Sequence, residues 1–249
     1  MQFRQRQNSR NERSHHIIPQ EVLEQLRAHL DSFPAHIQRM VIILVESGMS
    51  VNEVCSLSFD CLLQDEAGNW FLRSPQLKTR QVHIIPLSYG AASAIHEQQQ
   101  AVGDEQGATT RLLFPNPKGS PFSRRTLMNV LNRIARDRSI RDASGTVWRF
   151  HSHQFRYTVI ARLINNGVPL PIIQYYLNVQ SLDEVVGVYK HLFIHSWRGE
   201  SFPLPTQIAC GKEKWGERRV HFDSVEVPWI SQMIIQGIYL LSSAPHGLQ

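Results

Sequence analysis

The sequence predicts a mainly α-helical fold that carries one small three-stranded antiparallel β-sheet. Apolar residues recur at helical spacing in several segments, and prolines, serines and glycines stand at the ends of these segments. Three short β-prone stretches follow one another between residues 61 and 85, with turn residues between them. The chain has 249 residues, 42% of them hydrophobic and 19% charged, which is sufficient for one well-buried core.

Two amphipathic helices are predicted at the start of the fold. Leucines at helical spacing after Pro19 indicate a first helix that ends near Asp31 or Ser32. The second helix begins after Pro34 and has a continuous apolar face, which indicates that it is buried. We expect it to end at Gly48, because glycine adopts the left-handed backbone of a helix C-terminus without strain.

A short third helix and the β-sheet come next. Ser50 and Glu53 match a capping box, in which each side chain accepts a hydrogen bond from the other residue's backbone N–H at a helix start. Residues 61–63, 70–73 and 82–85 are rich in β-formers and are joined by short polar connections. This spacing predicts a three-stranded meander.

The rest of the chain is predicted to be helical. The helical patterns cover residues 88–100, 124–138 behind the cap Ser123, 153–166 before Gly167, 170–177, and 181–191 behind the cap Ser181. Residues 103–110 are predicted to form a loop. After residue 195, only residues 229–241 have a helical pattern.

Positive charge is concentrated in two places. The formal net charge is +5, yet residues 118–162 alone contain ten lysines or arginines and only two acids. Four arginines lie in residues 1–18, which we expect to form a flexible arm. This distribution favours an anionic partner, and by itself it does not choose between nucleic acid and acidic lipid.

Cysteines and histidines indicate neither a disulfide framework nor a metal site. Cys55, Cys61 and Cys210 form no CxxC pair, which fits a reducing cytoplasm. His151 and His153 form an HxH pair, but no second ligand cluster completes a metal site, so we expect no metal. The chain opens without the apolar core of a signal peptide, and its longest late apolar run is too short and too polar for a membrane span.

Residues 148–191 contain the residue types that phosphoryl transfer requires. His153 and Arg156 are three residues apart at a predicted helix start, so both can face one spot, and Tyr189 lies on a later helix. A phenol nucleophile, a proton carrier and an arginine that holds phosphate oxygens suit transfer through a covalent intermediate. Ordinary interpretations stay open, with Arg156 as an ion-paired arginine and Tyr189 as the edge of a core.

The order of several motifs resembles the catalytic domain of the tyrosine recombinases, the phage integrase family, and especially the transposase branch of mobile elements. The matching pieces, spread over residues 19–195, are ESGMSVNEVCSLSFDCL, HIIPL after a β-turn lysine, HQFRYT, NNGVP and the helix that ends in VYKH. The resemblance implies the DNA breaking-rejoining fold. It also implies that a tyrosine attacks a DNA phosphate and forms a 3′-phosphotyrosyl bond, without a metal or nucleotide cofactor.

The resemblance assigns roles to four residues and marks two substitutions. Tyr189 would be the nucleophile, and Arg156 would hold the non-bridging phosphate oxygens. Lys78 would protonate the leaving 5′-oxygen, and His153 would handle a proton. The family's first arginine is replaced by Ser50 and its third-helix histidine by Val179, so we expect strand cleavage to be impaired, since one lost donor typically costs about 100- to 1000-fold in rate. Ser50 also has a simple alternative role as a helix N-cap.

Double-stranded DNA is the partner that the resemblance implies, bound by a homo-oligomer or by pairs with related recombinases. Phosphate contacts are expected from Arg80, Arg124, Arg125, Arg133 and Arg149. We expect the row on the predicted helix 124–138, Arg149 and Arg162 to share a side with the proposed phosphate pocket. The alternative for this basic row is a solvated helix face.

Three segments are expected, namely the basic arm 1–18, a tyrosine-recombinase-like catalytic domain 19–195, and a divergent C-terminal tail 196–249 with one apolar helix. We expect the family's separate N-terminal core-binding domain to be absent. Two alternatives to a working recombinase stay open. The chain could be a catalytically inactive DNA-binding remnant, or an assembly partner that docks its tail helix on an intact recombinase.

Overall fold

The computed structural model describes residues 17–75, 82–106, 111–177 and 185–188. The elements there are, in chain order, α1 (Gln20–Ala28), a 3-10 turn (Leu30–Ser32), α2 (Ala35–Ser47), α3 (Val51–Cys55), β1 (Leu62–Gln64), β2 (Trp70–Pro75), β3 (Val82–Pro86), α4 (Tyr89–Gln106), α5 (Arg124–Asp137), α6 (Gln154–Asn165) and α7 (Leu170–Leu177). Residues 185–188 are also helical. The predicted fold class, mainly α with a three-stranded antiparallel sheet, is confirmed.

Helix α2 is buried and supports the elements around it. Met40, Ile43 and Leu44 have no exposed surface, and burial of each such side chain contributes about 1.5–3 kcal/mol to folding. α2 packs against α3, α4 and α6. It follows Pro34 and ends at Gly48, whose φ of 69° is left-handed, as predicted. The elements that meet at its C-terminal end are therefore fixed to one rigid helix.

The three strands form the predicted meander. β2 lies in the centre and pairs antiparallel with both neighbours, with Leu62 opposite Leu72 and Phe71 opposite Pro86. Leu72 and Ile85 face inward and are buried, and α4 contacts both β1 and β2. The connection from β2 to β3, which carries Lys78 and Arg80, lies outside the described residues.

Helix α4 is longer than predicted. It continues to Gln106, so the predicted loop at 103–110 is wrong for residues 103–106. A Cβ added at Gly103 would meet no atom within 4 Å. A glycine at such an open helical position costs only about 1 kcal/mol relative to alanine, and the helix tolerates it. The opposite difference occurs at α1, where Leu30 lies in the 3-10 turn and not in the α-helix.

The helices of the second half begin and end close to their predicted limits. Ser123 Oγ caps α5 by accepting a hydrogen bond from Thr126 N at 3.4 Å, and Gly167 follows α6 with a φ of 74°. The bounds of α7 agree with the prediction. Of the predicted helix 181–191 only residues 185–188 are described, and Val185 and Val188 are fully buried.

Candidate active site

The first turn of α6 is fixed by one aromatic contact and one side-chain amide. Phe155 is 1% exposed and stacks on Phe150 with ring centroids 5.9 Å apart. Gln154 Oε1 accepts a hydrogen bond from His151 N at 3.0 Å, and Gln154 N donates to His151 O at 3.1 Å. These contacts fix the direction in which His153 and Arg156 leave the helix.

His153 and Arg156 differ in exposure although they share this turn. His153 is exposed at the N-cap position of α6, and its ring stacks on that of Tyr157, with centroids 6.2 Å apart. The side chain of Arg156 is only 14% exposed. His153 is thus accessible to a ligand and to solvent, as a proton carrier must be, whereas Arg156 is enclosed by the protein.

Two residues of the α2–α3 region hold the guanidinium of Arg156. Its Nε donates to Gly48 O at 3.2 Å, and its Nη2 donates to Glu53 Oε2 at 2.6 Å. The second bond is charge-assisted and therefore stronger than a neutral one. Among the described residues only Nε and Nη2 have partners, so the Nη1 edge of the guanidinium is the part that can hold a phosphate oxygen.

The predicted capping box at the start of α3 is confirmed. Ser50 Oγ accepts a hydrogen bond from Glu53 N at 3.3 Å, and Glu53 Oε2 accepts one from Ser50 N at 2.6 Å. The same carboxylate oxygen also accepts the bond from Arg156. Ser50 is therefore a real N-cap as well as a neighbour of the arginine, and Glu53 joins the two.

Glu53 is the site residue that the sequence did not reveal. Its place in the capping box is a local pattern, but its bond to Arg156 joins residues 103 positions apart. Its position three residues after Ser50, inside a motif of the resemblance, is the signal that could have marked it.

Gly48 permits the close approach of the α2–α3 turn to α6. A Cβ added at Gly48 would lie 2.9 Å from side-chain atoms of both Val159 and Leu177. Its φ of 69° is also unfavourable for other residues. The bond from Arg156 to the Gly48 carbonyl depends on this approach.

Arg162 holds the same end of α2 one and a half turns further along α6. Its Nη2 donates to Glu46 O at 3.2 Å and to Val45 O at 3.4 Å. A positive charge at this C-terminal end of α2 also interacts favourably with the helix dipole. Burial lowers the pKa of Arg162. Arg162 is partly buried, and its guanidinium faces the carbonyl groups of α2.

The structure brings some of the predicted site residues together. Ser50 and Arg156 meet through Glu53, and His153 lies three residues before Arg156 on the same turn. Lys78, Val179 and Tyr189, together with Arg80, lie outside the described residues.

The predicted DNA-contacting arginines on the described part of the chain are all exposed, namely Arg124, Arg125, Arg133 and Arg149. α5, which carries the first three, packs against α3. Arg124 lies close enough to α3 for its charge to lower the pKa of Cys55, although burial dominates and raises that pKa to about 11. The basic helix therefore adjoins the element that carries Glu53.

Both described cysteines are buried core residues. Burial raises the pKa of Cys61 to about 12, and neither thiol is in a disulfide. Within the described ranges, no three His, Cys, Asp or Glu side chains are grouped as metal ligands. No helix in the described part of the chain is long and apolar enough to cross a membrane.

Sequence comparisons match the chain to one protein family and to curated proteins. The family model described as "Phage integrase family" matches residues 16–195. Transposase B from transposon Tn554 of Staphylococcus aureus (strain Mu50) is 40% identical over 220 residues, which are 88% of this chain and 35% of the transposase. Tyrosine recombinase XerC of Bacillus subtilis (strain 168) is 25% identical over 161 residues, which are 62% of this chain and 49% of that protein. The chain thus spans about a third of the length of the transposase that it matches.

Solved structures agree on the fold. The XerH site-specific recombinase bound to difH substrate in a pre-cleavage complex has a TM-score of 0.59 and 19% identity, and the match covers 74% of this chain and 53% of that one. The Tn1549 transposon integrase in complex with transposon right end DNA has a TM-score of 0.52 and 17% identity, with 70% and 61% covered. Together with the family match over residues 16–195, this confirms the expected tyrosine recombinase fold. The chain belongs to the phage integrase family of tyrosine recombinases.

Proposed function

We propose that this chain cleaves and rejoins DNA strands for a mobile element, through a 3′-phosphotyrosyl intermediate. The observation that carries the proposal is the Arg156 guanidinium, held by Gly48 O and Glu53 Oε2 with its Nη1 edge left for an anion. The 40% identity to a transposase supports the connection to a mobile element and favours recombination over an inactive remnant or an assembly partner.

The proposed reaction exchanges one phosphodiester bond for another. The phenol oxygen of Tyr189 attacks the scissile phosphorus, the bond to the 5′-oxygen breaks, and Lys78 protonates that leaving oxygen. Arg156 stabilises the charge on the non-bridging oxygens. His153 takes part in proton transfer, which matters because a phenol with a pKa of about 10 is a weak nucleophile while protonated. Rejoining is the reverse, with a new 5′-hydroxyl as the nucleophile. Residues 19–195 form the domain that does this.

Duplex DNA is the proposed substrate, bound by a homo-oligomer or by pairs with related recombinases. XerH was solved with its difH substrate, and the Tn1549 integrase with transposon right end DNA. The exposed arginines of α5 supply positive charge on a helix that packs against α3, and Arg149 is exposed as well, as a phosphate-contacting surface requires. A protein that acts on DNA in a bacterial mobile element works in the cytoplasm, and we place this chain there.

We further propose that Ser50 and Val179 slow the cleavage step. Within the described residues, the Ser50 hydroxyl bonds only to the backbone N–H of Glu53, so the phosphate loses one preorganised cation at this place. One such donor is worth about 100- to 1000-fold in rate. Replacement of both residues by Ser50→Arg and Val179→His is expected to accelerate cleavage, although Ser50→Arg removes a helix cap.

A covalent-trapping experiment tests the proposal. Nicked duplexes taken from the ends of the host element are incubated with the chain, so that loss of a short fragment traps the phosphotyrosyl adduct. We expect an adduct that survives denaturing electrophoresis and is abolished by Tyr189→Phe. Tyr175→Phe, at an exposed tyrosine of α7, is the matched control and should leave the yield unchanged. The proposal would be refuted if no fragment gave an adduct with the wild-type chain or with the double variant Ser50→Arg and Val179→His.

A further inference from the structure

A hollow of about 500 Å³ lies between α5 and the extended segment that leads into α6. Its lining residues are Asn129, Asn132, Arg136, Val147, Trp148 and Arg149. None of them belongs to the site around Arg156. The volume is within the range of pockets that take small organic ligands, about 300–1,000 Å³.

Asn132 makes the two walls of the hollow rigid. Its Oδ1 accepts a hydrogen bond from Phe150 N at 2.8 Å, and its Nδ2 donates to Phe150 O at 3.1 Å. Trp148 N donates to Ile140 O at 2.8 Å. The segment 147–149 is therefore fixed against α5, and the hollow exists before any ligand enters.

The lining combines one aromatic ring with two cations. The ring of Trp148 is partly buried against the core, and Arg136 and Arg149 are both exposed. Neither arginine pairs with a carboxylate in the part of the chain that the structure describes. No lining residue is acidic, so the hollow does not suit a cation. It suits a ligand that is both flat and anionic.

An amide and a guanidinium add hydrogen-bonding capacity. Asn129 and Arg136 lie seven residues apart on the same face of α5, so the amide and the guanidinium flank the same hollow.

We infer that this hollow binds one unpaired DNA nucleotide, with its base stacked on Trp148 and its phosphate held by Arg136 and Arg149. This inference rests on the proposed function, which brings DNA to the basic face of α5. A base inside a duplex has its two faces covered by neighbouring bases, so only an unstacked nucleotide can lie on the indole. The hollow would thus bind a base that leaves the helix.

Two DNA probes separate this inference from simple backbone binding. Fluorescein-labelled (dT)8 and a 20-base-pair duplex are titrated with the wild-type chain and with Trp148→Leu. Loss of one stacked base is expected to weaken (dT)8 binding about 5- to 100-fold, while duplex affinity changes less than about twofold. Arg149→Gln should weaken both probes, because it removes a phosphate contact. Arg138→Gln, at an exposed arginine after the end of α5 that does not line the hollow, is the control.

Photocrosslinking supplies a measurement that needs no variant. An oligonucleotide with one 5-iododeoxyuridine is irradiated with the wild-type chain, and mass spectrometry should place the crosslink on the peptide that contains Trp148. If the Trp148→Leu variant does not fold, the position of this crosslink tests the inference by itself. Equal losses for both probes, no loss for (dT)8, or a crosslink elsewhere would overturn the inference. If the chain forms the Tyr189 adduct and gives one of those outcomes, only this inference is refuted. If the chain forms no adduct and binds neither probe, the proposed function is refuted as well.

Discussion

Glu53 Oε2 connects a local helix cap to a long-range arginine contact. It accepts hydrogen bonds from Ser50 N and Arg156 Nη2, both at 2.6 Å. The carboxylate is 38% exposed, so solvent screens the ion pair and its contribution to stability is modest. Its effect on geometry is larger, because the guanidinium has one orientation before DNA binds and loses little conformational freedom on binding.

Glu53→Ala is expected to destabilise the fold more than Ser50→Ala. Ser50→Ala removes only the bond that Glu53 N donates to Oγ, which costs about 1 kcal/mol. Glu53→Ala removes the bond from Ser50 N and also leaves Arg156 Nη2 without its acceptor, for a total of about 2–3 kcal/mol. Urea unfolding followed by circular dichroism measures both. Equal losses would mean that the bond from Arg156 to Glu53 adds nothing to stability.

Arg162→Met is expected to lower the free energy of unfolding by about 1–3 kcal/mol. The methionine keeps much of the apolar stem, but the carbonyl groups of Val45 and Glu46 lose their donor at the C-terminal end of α2. Thermal and urea unfolding give the change. Arg138→Met is the matched control, since Arg138 is exposed, and a change within about 0.5 kcal/mol is expected there. Similar losses at both positions would contradict the capping role of Arg162.

At the level of helices and turns, α6 holds the end of α2 along one face. Arg156, Val159 and Arg162 are spaced three residues apart, and they contact the segment from Val45 to Gly48. Arg156 and Arg162 donate hydrogen bonds to backbone carbonyl groups of this segment. Val159, between them, fills the space that a side chain at position 48 would need. A helix whose C-terminal end is fixed in this way keeps the following capping box in place.

Gly48→Ala tests this close packing. A left-handed φ alone costs an alanine about 1–2 kcal/mol, and here the added Cβ also meets Val159 and Leu177 at 2.9 Å. Gly119→Ala is the matched control, because Gly119 has a similar φ of 74° but nothing within 4 Å of the added Cβ. Urea unfolding should show a clearly larger loss for Gly48→Ala. If the two losses are equal, the contact between the turn and α6 is looser than the structure indicates.

Local patterns predicted most of the elements, whereas contacts distant in sequence escaped prediction. Gly48, Ser123 and Gly167 mark helix ends because their effects act within one turn of backbone. The same reasoning predicted a loop that begins at Gly103, but α4 includes this glycine, which has open space around it.

For the candidate site, His153 and Arg156 could be paired from the sequence because they lie three residues apart at one helix start. The role of Glu53 and the inward position of Arg162 depend on partners more than 100 residues away. The spacing of residues within one segment does not show which distant residues they contact.

Across the entire chain, charge is the property that a solution measurement tests most directly. The net charge of +5 is smaller than the local excess in residues 118–162, so duplex binding should depend on that region more than on the total. Each phosphate contact releases condensed counterions, which makes the logarithm of the affinity fall with the logarithm of salt concentration by about 0.9 per contact.

Arg125→Gln and Arg133→Gln are each expected to reduce that slope by about 0.9, because each variant removes one proposed phosphate contact. Both side chains are exposed on α5. Arg27→Gln is the control with the same change in net charge, since Arg27 lies on α1 in a separate groove beside Glu46 and Glu97. Fluorescence anisotropy of a labelled 20-base-pair duplex at several salt concentrations gives the slopes. Identical slopes for all three variants would assign the binding to net charge alone, and affinity that does not change with salt would count against a phosphate-contacting surface altogether.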